Sequence, residues 1–187
     1  DAIYRDFDEL EKKVEFSNLA ENSQQVIGLF YLPFLLIQNI LKKYKNKSSK
    51  VKFEYYLYGI ICYLDMISAF ELEIAKYAFW DLTDKEIMQL PNSIRERRKF
   101  IRKNFTKEQS SFVKCKQFCL NAAMDSFWLR AIAFGCDKKE HIVNDFYITD
   151  HFLATNDDKL NFIAKDISPV RINGDSFGYT FSVTREN

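Results

Sequence analysis

The side chains best placed to do chemistry are cations. Between residues 94 and 107 the chain reads IRERRKFIRKNFTK, seven basic residues against the single acid Glu96. On a helix, Ile94, Ile101 and Phe105 share an apolar face, and Arg95, Arg98, Lys99 and Arg102 share the face beside it, with Lys103 adjoining. Such a row holds phosphates or carboxylates. Each contact to a nucleic-acid backbone adds salt-dependent affinity without reading sequence. The partner expected for Arg95, Arg98, Lys99, Arg102 and Lys103 is therefore anionic, either RNA or DNA or an acidic protein. The competing use is a solvated face that pairs with the chain's own acids. The whole chain carries 27 basic and 26 acidic residues, a net charge of +1, so no global field favours a polyanion.

A second candidate is Asp65, set in the most apolar stretch, 53–80, beside Tyr63. A carboxylate buried there must be paired, hydrogen-bonded or protonated. Asp65, Tyr63 and a basic residue from 95–102 thus form the catalytic alternative, a small enzyme or ligand site between helices. His141 is the third catalytic candidate, with Asp145, Asp150 and His151 nearby in sequence. In an extended chain, though, Asp150 and His151 point to opposite faces. Cys115 and Cys119, with Cys136 and His141 downstream, could ligate zinc. Helical C-x3-C is not the usual knuckle spacing and cysteine is an ordinary core residue, so no metal site is expected. Phosphate-loop, dinucleotide, nucleophile-elbow and metalloprotease patterns are absent, and the five glycines leave little for a phosphate-cradling loop; no cofactor is expected.

A helical chain of this size with a basic helix invites comparison with small RNases of the HEPN type, which act in host defence or as toxins. Their motif places a His four to six residues after an Arg. Here Arg130 stands eleven before His141, and the motif is missing. RNase-like chemistry stays within the enzymatic alternative. The favoured function is a non-enzymatic binding or regulatory module.

The elements that must position these residues are mainly helical. With 47% apolar and 16% aromatic residues, three prolines and few glycines, the 187 residues suit one domain with a substantial core. The stretch 53–80 is apolar around nearly its whole circumference and reads as a buried central helix, with Glu54, Asp65 and Lys76 in line at eleven-residue spacing. Its charges argue against a membrane span. Residues 3–20 form an amphipathic pattern, and 24–44 an apolar helix kinked near Pro33. The lysine-rich run 42–52 is expected to be a solvated turn, contact with nucleic acid or lipid being its alternative, and Ser48 or Ser49 can cap the helix that follows.

Three Ser/Thr-x-x-Glu/Gln patterns, at Thr83, Ser93 and Thr106, predict helix starts, giving helices over about 84–90, 94–104 and 107–134 with a cap at Gly135. After Gly135 the period shortens towards two. Alternation over 177–183 and the Asn173-Gly174 turn predict a hairpin over 169–184, and 142–149 reads as a further strand.

The expected class is α+β, mainly α: a helical bundle over 1–135 around the central helix, and a small antiparallel β-sheet over 136–187. Its aromatic strand face could pair with a second copy in a homodimer. Four cysteines without framework spacing and no secretory leader point to a reducing, cytoplasmic setting.

Overall fold

The computed structural model describes residues 15–65 and 68–137, together with 141–143, 146–148, 158, 162, 167–171 and 179–183. Among the described residues there are six α-helices, and the body from Phe16 to Asp137 contains no strand. The helices are α1 (Glu21–Lys43), α2 (Ser49–Leu64), α3 (Ala69–Phe79), α4 (Asp84–Gln89), α5 (Asn92–Phe105) and α6 (Phe112–Asp137), preceded by a single 3-10 turn, Phe16–Asn18.

The class is thus a helical bundle, and the α+β expectation is corrected. The C-terminal β-sheet expected over 136–187 is not shown. Among the described residues, backbone pairing beyond Asp137 is confined to two separate two-stranded ladders, His141–Val143 with Phe146–Ile148 and Ile167–Arg171 with Tyr179–Val183. Two-stranded ribbons are marginal in water and do not define a class of fold. Period-two alternation records only that a segment can pair. It does not say that several segments will join into one sheet.

Helix α1 is the spine. Ile27, Tyr31, Phe34, Ile37 and Ile40 recur at three- and four-residue steps and are buried, so one stripe of the helix supplies much of the core. It packs most extensively against α6, and also against α2 and α3. The helix runs through Pro33 without ending, although the ring removes one backbone hydrogen bond. Asn22 and Ser23 lie in its first turn. Among the described residues α1 is the one helix long and apolar enough to cross a membrane, by length and composition. The amphipathic pattern of 3–20 falls largely outside the described residues, 1–14 included.

The stretch 53–80 is two helices. Helix α2 ends at Leu64, and Asp65 caps it in the left-handed region (φ 49°), its N–H donating to the Ile61 carbonyl at 3.2 Å. Helix α3 restarts at Ala69. The break dissolves the expected line of Glu54, Asp65 and Lys76. Aspartate is one of the few side chains that enters the left-handed region readily, so a helix can stop there without glycine or proline. The two halves also differ in burial. In α3, Phe70, Glu71, Ile74, Ala75, Tyr77, Ala78 and Phe79 are buried, whereas α2 leaves Tyr55, Tyr58, Ile61 and Tyr63 exposed. The centre of the bundle is therefore α3 against α1. Helix α2 approaches α1 closely at Gly59, where a β-carbon would lie 3.2 Å from Leu36 Cδ1.

The ends of α3 are tied by charges. At its start, Arg130 of α6 grips Glu71 with two hydrogen bonds, Nη1 to Oε1 at 2.9 Å and Nη2 to Oε2 at 2.6 Å. The Ser68 hydroxyl accepts from Arg130 Nη2 at 2.6 Å and donates to Glu71. The guanidinium also lies 4.7 Å from the Phe30 ring centroid and 5.3 Å from that of Phe70. A buried carboxylate is tolerable when its oxygens are satisfied in this way.

Of the three expected capping boxes, the one at Thr83 and Glu86 is formed in full. Helix α5 instead starts after Pro91, without a side-chain cap, and Thr106 ends that helix, its hydroxyl donating to the Arg102 carbonyl at 2.9 Å. Helix α6 begins at Phe112 rather than near 107, where Ser111 Oγ accepts from the Lys114 N–H at 3.3 Å, and it runs past Gly135 to Asp137.

Candidate functional site

The basic run does form a helix, but much of its charge is spent inside the fold. Arg98 donates to the Trp80 carbonyl through Nη2 (2.9 Å) and Nε (3.3 Å), and Arg102 Nη1 reaches the same oxygen at 3.3 Å. Trp80 is the C-terminal cap of α3, where the partial negative end of the helix favours cations. Burial, and then the neighbouring Arg102, pull the Arg98 pKa down, and Asp81 partly offsets this. Arg97 stands 3.7 Å from Glu73, and Arg95 donates to Asn92 Oδ1 at 3.2 Å. Lys99 and Lys103 are exposed. Of the five anion-binding candidates, Arg98 and Arg102 thus cap a neighbouring helix while Lys99 and Lys103 face solvent.

Arg102 leads to a site that the sequence reading did not assemble. Its Nη1 is also 3.6 Å from Asp81 Oδ1, and Lys52 Nζ donates to Asp81 Oδ2 at 2.8 Å. The Asp81 N–H donates to Ser49 Oγ at 3.1 Å, which fixes the start of α2 to the segment after α3. Beside this cluster lies a groove of about 570 Å³ between the C-terminal half of α1, the end of α5 and the start of α6. Its wall presents four cations, Lys42, Lys45, Lys52 and Arg102, against two carboxylates, Asp81 and Glu108. The Lys52 side chain is only 6% exposed, its stem buried and its ammonium held by Asp81. Gln38 also lines the groove. It is 7% exposed, and its amide Nε2 has no hydrogen-bond partner among the described residues. A buried donor without an acceptor is costly.

A second cavity of about 480 Å³ lies between α1 and α6 and shares Leu35, Asn39 and Phe112 with the first. Its wall is mostly apolar, with Tyr31, Leu32, Leu36 and Leu120. Burial, reinforced by the thiols of Cys119 and Cys115, raises the Tyr31 hydroxyl pKa to about 12. Cys119 is fully buried and its thiol is pushed up as well, by burial first and then by Cys115.

The other candidates do not converge here. Asp65 is exposed at the end of α2 and lines neither cavity; Tyr63 is 70% exposed. The Asp65–Tyr63–arginine constellation therefore lacks the enclosed setting on which that alternative rested. The side chain of His141 lies outside the described residues, as do Asp145, Asp150 and His151.

What the sequence reading missed is the pairing of 42–52 with 102–112. Six lysines in KKYKNKSSKVK signalled a cationic segment, and Gln38-Asn39 interrupted an apolar run. Nothing local placed both against Arg102. Comparison of the chain with protein-family models and curated proteins, and of its fold with solved structures, finds no match, so the groove's own chemistry is what speaks to function.

Proposed function

We propose that this protein is a binding or regulatory module that takes an anionic ligand into the groove between α1, α5 and α6. The observation that carries the reading is the groove wall, where cations outnumber carboxylates two to one, with the buried Gln38 amide, whose Nε2 has no hydrogen-bond partner among the described residues, behind it. A wall of this charge suits a ligand rich in acceptor oxygens and bearing negative charge, such as a phosphate or carboxylate. Lys42 and Lys45 are exposed and form no ion pair among the described residues, so they can close on such a ligand. Lys99 and Lys103 raise the local potential and attract it from a distance. The basic helix thus serves an anionic partner mainly through its Arg102 end.

Ethyl phosphate is a suitable probe, titrated calorimetrically at low and moderate salt. Wild type should bind it, more weakly as salt rises. Lys42→Gln/Lys45→Gln and Gln38→Leu should each weaken binding by about tenfold, the loss of one good polar contact. Binding indifferent to both variants contradicts the proposal. So does affinity for RNA or DNA that is lost in Lys99→Gln/Lys103→Gln but kept in the groove variants.

A further inference from the structure

We infer that the ligand is a single-chain amphiphile with an acidic head, the head held in the polar groove and the alkyl chain laid along the apolar cavity that adjoins it. This inference rests on the anion-binding reading above and adds the ligand class. Three observations lead to it.

The two cavities adjoin, with Leu35, Asn39 and Phe112 lining both, and the ligand would pass these three side chains to reach from one into the other. Their linings change character along a single helix. Tyr31, Leu32 and Leu36 face the apolar limb, and Gln38, Lys42 and the following Lys45 face the polar limb. From Tyr31 to Lys42 the helical rise gives about 16 Å, the length of a chain-like ligand rather than of a lone ion. Finally, Phe112 and Val113, in the first turn of α6, are 71% and 66% exposed and stand at the junction and in the wall of the apolar limb. Apolar side chains left open beside a cavity gain by covering an alkyl chain, and each buried methylene adds to affinity.

Charge complementarity sets the orientation. A carboxylate or phosphate belongs with Lys42, Lys45, Lys52 and Arg102; the adjoining limb is mostly apolar and offers one cation, Lys116, offset by Glu15. The occupant is a monomeric lipid and not a bilayer: the places for head and chain lie side by side along α1, within the reach of one molecule.

The test compares ethyl phosphate with dodecyl phosphate kept below micelle formation, by calorimetry on the full chain. The long chain should tighten binding by about a hundredfold or more. Leu32→Gln and Val113→Glu should abolish that gain, leaving ethyl phosphate affinity and the thermal midpoint in place, which separates loss of the apolar limb from loss of the fold. Ethyl phosphate binding with no gain from the chain overturns the amphiphile while leaving the anion site standing. No binding of either probe overturns both readings. A gain that survives both variants, or binding confined to phosphatidic acid vesicles, places the chain elsewhere and also overturns the inference.

Discussion

At the scale of single residues, the buried Arg130–Glu71 pair is the most consequential contact. Arg130 is 8% exposed and Glu71 2%, and each satisfies the other with two hydrogen bonds. Arg130→Met leaves a buried carboxylate with Ser68 as its one remaining donor among the described residues and should cost about 3–5 kcal/mol in urea unfolding. The double variant Arg130→Met/Glu71→Leu should recover much of that loss, because the penalty lies in the orphaned charge and not in the missing attraction. Equal losses in the single and double variants would show that the pair stabilises outright. Tyr31 and Tyr56 give a pH dependence. Both hydroxyl pKa values are raised, mainly by burial, that of Tyr31 to about 12. Their neutral forms favour the fold, so this contribution is fully present below about pH 10, the unfolded value, and is lost as pH rises towards and through 12. Urea midpoints taken from pH 9 to 11.5 should fall across that window. Replacing Tyr31 with Phe should flatten the fall, and an unchanged slope would exclude this residue as a cause.

At the scale of elements, α5 acts as a clamp on α3. The guanidinium groups of Arg98 and Arg102 meet at one carbonyl, Trp80, at the end of the most buried helix. Arg98→Met should destabilise by about 1–2 kcal/mol, the value of a charge-assisted hydrogen bond at a helix end, while Lys99→Gln should change stability by less than about 0.5 kcal/mol. Thermal unfolding of the two variants side by side checks the difference. Losses of equal size would contradict the division of this helix into an inner and an outer set of cations.

This division shows how far the elements were legible. Helical character, the cap at Thr83 and the faces of α5 follow from spacing and side-chain type. The partner of each face does not, because Trp80 and Arg98 meet only through tertiary packing. Asp65 shows the same limit. Its apolar surroundings read as burial, yet one left-handed residue stops α2 and leaves the carboxylate in solvent. Likewise, the alternation of Phe177, Tyr179, Phe181 and Val183 reads as a strand, but pairing into a larger sheet depends on contacts that no local pattern encodes.

At the scale of the molecule, the groove between α1, α5 and α6 takes its polar lining from four separate parts of the chain: Gln38 to Lys45, Lys52, Asp81, and Arg102 to Ser111. Lysines dismissed as a solvated turn are brought against the inner end of the basic helix by the packing of α1 on α6. Under the function proposed above, the anionic partner expected from the basic run binds in this groove and not on the outer face of α5. The most direct measurement is a heteronuclear NMR titration of the isotope-labelled protein with ethyl phosphate, following the Gln38 side-chain amide. The account predicts saturable shifts of that amide and of backbone signals at 42–45 and 106–112, reversed by salt. Shifts confined to Lys99 and Lys103, with the Gln38 amide unmoved at saturation, would contradict it.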